Sequence, residues 1–125
     1  MLVAAINSLF SMHSGDDKDL IYTIRDTAGA TIDITGAAFT FSLSGLNTVD
    51  PAVPAPKGSP LIVIINGVQL VLNDPTNGVV TVSLLPLDTA DLPAKTYYYE
   101  LQMVLTSKTS TVTIGTLQLL KDLVA

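Results

Sequence analysis

Gly15 to Leu43 reads GDDKDLIYTIRDTAGATIDITGAAFTFSL, and two runs of alternation within it decide the fold class. Leu20, Tyr22 and Ile24 alternate with Ile21, Thr23 and Arg25; Phe39, Phe41 and Leu43 alternate with Thr40, Ser42 and Ser44. A period of two places every second side chain on the same face, which is the mark of a strand with one buried side. Between the runs, Asp26-Thr27-Ala28-Gly29 supplies turn chemistry: a carboxylate that can bond nearby backbone, and a glycine free to take a positive φ. Two β-strands, each burying one face, are the simplest reading of this stretch.

Further strands follow outward from it. Leu61 to Ile65 and Val68 to Leu72 flank Asn66-Gly67, a dipeptide that accepts the positive φ angles of a type I′ turn, so the sequence predicts a hairpin here. Asn73 to Gly78 reads as a longer turn before Val79 to Leu85, where Val80, Val82 and Leu84 face inward and Thr81 and Ser83 outward; a three-strand meander is expected. Tyr97, Tyr99, Leu101, Met103 and Leu105 form the better core face of a later strand, with Tyr98, Glu100, Gln102 and Val104 opposite. Ser107 to Ser110 is a polar turn. Val112 and Ile114 then share a face, Leu117 and Leu119 fall in the other phase, and a bulge near Gly115 would restore them to the core.

Two segments stand apart. Val49 to Pro60 contains Pro51, Pro54, Pro56, Gly58 and Pro60, which predicts an extended surface loop rather than a central strand. Leu2 to Met12 stays open: Leu2, Ile6, Leu9 and Phe10 lie at helical spacing, yet the segment also reads as an edge strand or an arm that docks on a neighbour. Seven or eight short strands without a long helix argue for an all-β protein, an antiparallel immunoglobulin-like β-sandwich without the cysteine pair or core tryptophan, with a jelly roll as the alternative. Residues 1–14 form the N-terminal strand or docking arm, and 15–125 the single sandwich domain with its proline-rich loop at 49–60.

Composition narrows the function classes. At 125 residues the chain fits one domain that buries a true core. It has no cysteine, so disulfides and thiolate metal sites are excluded. Charged residues are 14% of the chain against about 25% in an average domain, and apolar residues reach 48%. Such an uncharged surface fits a protein that hides much of itself in a homo-oligomer or symmetric assembly. Net charge is −5 and the six basic residues, Lys18, Arg25, Lys57, Lys95, Lys108 and Lys121, are scattered, which argues against nucleic acid as a partner. No run approaches the about 18 apolar residues of a membrane span. The apolar start, Met1 to Phe10, lacks the basic flank and cleavage pattern of a signal peptide.

Candidate chemistry is thin. His13 is the only histidine, and no nucleophile elbow accompanies it. Asp16, Asp17 and Asp19 offer oxygen ligands but lack the spacing and closing glutamate of a Ca²⁺ loop, so a solvated turn is the plainer reading. Asp88 and Asp91 suggest an acid/base pair only in isolation; next to Leu92-Pro93 they read as a turn cap before the tyrosine strand. Tyr97, Tyr98 and Tyr99 divide between core and sheet surface, one of them suited to a tyrosine corner, while Tyr98 is the residue a glycan-binding alternative would use. Gly29, Gly36, Gly67 and Gly78 belong to turns, none in a phosphate-binding spacing. No catalytic, cofactor or metal residue is assigned, and a non-enzymatic protein is expected.

A family resemblance runs from Gly15 towards the C-terminus. Gly15-Asp16-Asp17, the Asp26 to Gly29 turn, Ile32-Asp33-Ile34-Thr35-Gly36-Ala37, Leu87 to Ala94, and Thr96-Tyr97-Tyr98-Tyr99-Glu100-Leu101 together resemble the N-terminal domain of phage upper baseplate proteins. Ala94-Lys95 stands where that family often has a glycine before the tyrosine run. The resemblance implies a structural virion protein of a tailed bacteriophage, assembled in the host cytoplasm, with other virion proteins as partners. In that family the domain fixes a fibre or receptor-binding component to the particle. The resemblance is to that domain alone, without the fibre region, and so implies an adaptor, a capsid decoration subunit or a tail component more than a complete adhesin. Leu2, Val3, Ile6, Leu9, Phe10, Val53 and Pro54 are the expected partner contacts, acting through sheet edges. The alternative is a carbohydrate-binding or host-adhesion module.

Overall fold

The computed structural model describes residues 5–47 and 55–121. In chain order the strands are β1 (Ala5–His13), β2 (Lys18–Thr23), β3 (Ala38–Asn47), β4 (Ala55–Ile65), β5 (Leu70–Asp74), β6 (Val79–Leu84), β7 (Thr96–Leu105) and β8 (Lys108–Leu120). One short helix, α1 (Pro86–Thr89), joins β6 to β7, and a single 3-10 turn at Pro75–Asn77 follows β5. Among the described residues no helix is long and apolar enough to cross a membrane.

The strands form two sheets, a five-stranded one in the order β1-β8-β7-β3-β4 and a three-stranded one in the order β2-β6-β5. Their inner faces share one core, so the protein is mostly β and sandwich-like. Leu20, Ile24, Leu70, Val80, Val82 and Leu84 come from the smaller sheet and its continuation; Met12, Phe39, Phe41, Leu43, Tyr97, Tyr99, Leu101, Met103, Leu117 and Leu119 come from the larger. Phe41 and Tyr99 stack with ring centroids 5.7 Å apart. The alternation in Leu20 to Ile24, Phe39 to Leu43, Val80 to Leu84 and Tyr97 to Met103 is therefore the pattern of the core itself.

The turn at Asp26 closes as its residue types dictate. The Asp26 carboxylate accepts from Ala28 N–H at 2.9 Å and Ala30 N–H at 3.0 Å, and Arg25 donates to the Gly29 carbonyl at 3.0 Å. Gly29 takes φ +87. The chain then returns beside Ile24: Ile32 N–H donates to Ile24 C=O at 3.0 Å, and Ile24 N–H to Gly78 C=O at 2.8 Å. Gly78 is confined there, at φ +76, where an added Cβ would lie 2.8 Å from the carbonyl oxygens of both Ile24 and Ile32.

Several expectations are corrected. The larger sheet is mixed rather than antiparallel, because β1 runs parallel to β8 from Ala5↔Thr113 to His13↔Leu120. Six strands lie between these two in sequence, so no short turn forces them to run in opposite directions. The Asn66-Gly67 hairpin does not form: β4 pairs with β3, β5 pairs with β6, and the chain changes sheet between them. The meander is accordingly reduced to the β5–β6 pair.

The third correction concerns only the second half of the proline-rich loop, since residues 49–54 lie outside the described residues. Residues 55–60 belong to β4, with Ala55, Pro56 and Lys57 opposite Asn47, Leu46 and Gly45. Proline is tolerated because β4 is, among the described residues, the last strand of its sheet and owes hydrogen bonds on one side only. The register then shifts between Gly45↔Lys57 and Leu43↔Ile62, with Gly58 at φ +78. Gly45 permits the close approach, since a Cβ there would lie 3.1 Å from the Lys57 carbonyl oxygen. Finally, the β8 bulge falls at Val112, between Gln102↔Thr111 and Leu101↔Thr113, and not near Gly115. Thr113, Gly115, Leu117 and Leu119 then share the buried face. The polar turn also lies earlier: Leu105 pairs with Lys108, so Thr106-Ser107 is the loop, at φ 52 and 63.

Candidate interaction surface

The outer face of the five-stranded sheet is built by the side chains that alternate away from the core. On β4, Ile62 and Ile64 turn inward opposite Leu43 and Phe41, which leaves Leu61, Val63 and Ile65 outward and 53%, 57% and 64% exposed. Val63 and Ile65 adjoin Ser42 and Thr40 of β3, and these adjoin Glu100 and Gln102 of β7. Val104, also exposed, pairs with Ala38. Across 38–42, 61–65 and 98–104 the only charged side chain is Glu100, and its carboxylate already accepts the Tyr98 hydroxyl at 2.8 Å. Depletion of charge around apolar side chains is the composition of an interface centre.

The edges add unpaired backbone. Among the described residues β4 and β1 are the outermost strands of the larger sheet, β2 and β5 of the smaller. The outer face of the smaller sheet carries Ile21 and Val71 on either side of Thr81, and Val79 between Thr23 and Asp74. Asp19 on β2 lies on the same face and accepts from Ser83 Oγ at 2.8 Å, so this sheet is more polar.

The expected contact residues are distributed as follows. Leu2, Val3, Val53 and Pro54 lie outside the described residues. Ile6, Leu9 and Phe10 belong to β1, with Leu9 opposite Thr116 and Phe10 opposite Leu117, so the segment is an edge strand over Ala5–His13 rather than a helix. Tyr98 is only 5% exposed, and its hydroxyl is engaged by Glu100. Burial first, then the Glu100 hydrogen bond and charge, push its phenol well above the ordinary tyrosine range. Little of that ring is offered to a sugar.

The polar candidates are scattered, some exposed and some bonded within the fold. His13 is exposed at the end of β1, and Asp16 and Asp17 are exposed in the turn after it. The neighbouring Ser14 hydroxyl donates to Thr89 C=O at 3.1 Å, and Gly15 N–H to Thr89 Oγ1 at 3.1 Å, which ties this turn to the buried end of α1. Asp88 caps α1 by accepting from Leu85 N–H at 2.7 Å, and it also accepts from Gln69 Nε2 at 2.8 Å; Asp91 is exposed nearby. Tyr97 donates its hydroxyl to the Pro93 carbonyl at 2.6 Å, four residues upstream, with Lys95 Nζ 5.3 Å from its ring centroid. Among the described residues no three His, Cys, Asp or Glu side chains converge in a group able to hold a metal ion.

The β4 edge was missed by sequence reading because Asn66-Gly67 assigned that edge to a hairpin partner. The available signal was the absence of charge across residues 58–73. No family model matches the chain, and no curated protein matches it.

Proposed function

We propose that the chain is a non-enzymatic structural protein of a tailed-bacteriophage virion, an attachment or assembly module in a baseplate, tail or capsid-decoration position. The observation that carries this reading is the charge-poor outer face of the five-stranded sheet, with Glu100 its one charge across 38–42, 61–65 and 98–104, ending in the apolar edge of β4. Burying such a face against other virion proteins, and adding a strand at its edge, gives affinity without a pocket or reactive group. The resemblance of the quoted motifs to the upper-baseplate N-terminal domain suggests the particle as the setting.

The proposed architecture is immunoglobulin-like. Three features support it: the first strand beside the last in parallel, the second strand grouped with β5 and β6 in the opposite sheet, and the Tyr97 hydroxyl tied to backbone at the start of β7, the geometry of a tyrosine corner. The burial of Tyr98 favours assembly over glycan binding.

Mass spectrometry of purified particles tests the reading. The expected result is the chain at a fixed ratio to the major structural proteins, reduced when residues 2–10 are deleted. Its presence in infected-cell lysate but absence from particles would contradict the proposal.

A further inference from the structure

We infer that the edge of β4 is a homotypic docking strand, on which a second copy of this chain pairs antiparallel about Val63. This deepens the assembly reading by naming the partner of one edge.

Open edges in stable proteins are normally blunted by lysines, inward charges, prolines or bulges. In β4 those devices stop short. Pro56, Gly58 and Pro60 interrupt its first half, whereas Leu61-Ile62-Val63-Ile64-Ile65 is regular, apolar and, among the described residues, outermost in its sheet. Its polarity also reads the same in both directions. Antiparallel pairing about Val63 sets Leu61 beside Ile65 of the second copy and Val63 beside its own equivalent, all on the outer face. The same register aligns Ile62 with Ile64 of the second copy on the inner face, continuing the core across the junction.

Charge selects a second copy as the occupant. Two chains of net charge −5 repel, and the repulsion is least where neither contributes a charge to the contact. Residues 58–73 are such a segment. A charged partner strand would gain no complementary group from it, while a copy of this chain brings the matching apolar ladder. One strand pair lies at the low end of interface size, so association in solution is concentration-dependent and gains strength when other contacts hold the copies together.

The test is sedimentation of the full chain from about 10 µM to about 1 mM, the range of weak interfaces. The expected result is a rise towards twice the 13.1 kDa chain mass. V63K places two lysines opposite each other at the twofold and weakens association about tenfold or more, with the circular dichroism of the folded chain retained. L87K, at an exposed position on α1, leaves association unchanged. Because the chain has no cysteine, V63C reports contact directly: it forms a disulfide- or bismaleimide-linked dimer, and I21C on the opposite sheet does not. A wild-type chain that stays monomeric throughout, or V63C that fails to cross-link, overturns the inference. A monomer that is still found in particles overturns only the β4 pairing; a β4 dimer absent from particles overturns only the assembly reading.

Discussion

Asn66-Gly67 and Thr106-Ser107 have exchanged the roles their residue types suggest. The first has the preferred type I′ composition and joins strands of different sheets; the second has a β-branched residue and a serine and closes a two-residue hairpin at positive φ, 52 and 63. Gly67 does not take a positive φ. Asn66 instead works through its side chain, with Oδ1 accepting from Phe39 N–H at 2.7 Å and Nδ2 donating to Ala37 C=O at 2.9 Å. It caps the start of β3 while the chain leaves for the other sheet. Turn chemistry permits a hairpin, but the flanking strands decide it. Leu70 is needed against Val82 in the smaller sheet, and it cannot also lie beside β4. The consequence reaches function, because a hairpin at Asn66-Gly67 would have covered the edge that β4 leaves open.

The largest expected effect tests the change of sheet as a whole. With β4 and β5 in separate sheets, the two layers are held face to face by core contacts such as the hydrogen bond between Tyr22 of β2 and Tyr99 of β7. Burial, then the charge and hydrogen bond of Tyr99, raise the Tyr22 phenol far above its ordinary value near 10. A folded-state pKa above the unfolded one stabilises fully below the unfolded value, and that stability is lost as pH rises. Denaturant midpoints should hold up to about pH 10 and then fall steeply, and Tyr22→Phe should flatten the fall. An unchanged alkaline profile in that variant would remove the inter-sheet bond from the account.

A smaller effect separates the two residues of the misleading dipeptide. Asn66→Ala leaves Phe39 N–H without its partner and should cost about 1–3 kcal/mol in urea unfolding. Gly67→Ala meets only the Ile65 carbonyl oxygen at 3.8 Å and should change stability by less than about 1 kcal/mol. A type I′ turn would put a penalty on Gly67. At the other site the sign reverses: Thr106→Asn with Ser107→Gly relieves two left-handed residues and should stabilise by about 1 kcal/mol. The least effect is local. The exposed Asp33 carboxyl, held below its ordinary range first by the Thr35 hydroxyl and then by Thr35 N–H, should titrate higher by NMR in Thr35→Val, with little change in unfolding.

The sequence displayed the core and concealed the pairing. Leu20 to Ile24, Phe39 to Leu43, Val80 to Leu84 and Tyr97 to Met103 were legible because a half-buried strand writes its period into the residue types. Partner choice leaves no such mark. Ile62 and Ile64 have the same composition beside β3 as they would beside β5, and a parallel neighbour for Ala5–His13 depends on a strand more than ninety residues away, as His13↔Leu120 shows. The Val112 bulge was recognisable only as a phase error, so its position could be placed within a few residues and no closer. Of the contact site, the low charge was legible and the open edge was not, because an edge is defined by the strand that fails to arrive.

Amide hydrogen exchange across Leu61 to Ile65 tests that edge most directly. In dilute solution the amides that point to β3 should be protected and the alternate ones should exchange quickly, and the quick set should slow as concentration rises. Continuous protection across all five residues at high dilution would mean that another strand of the same chain already covers β4, and would contradict the account.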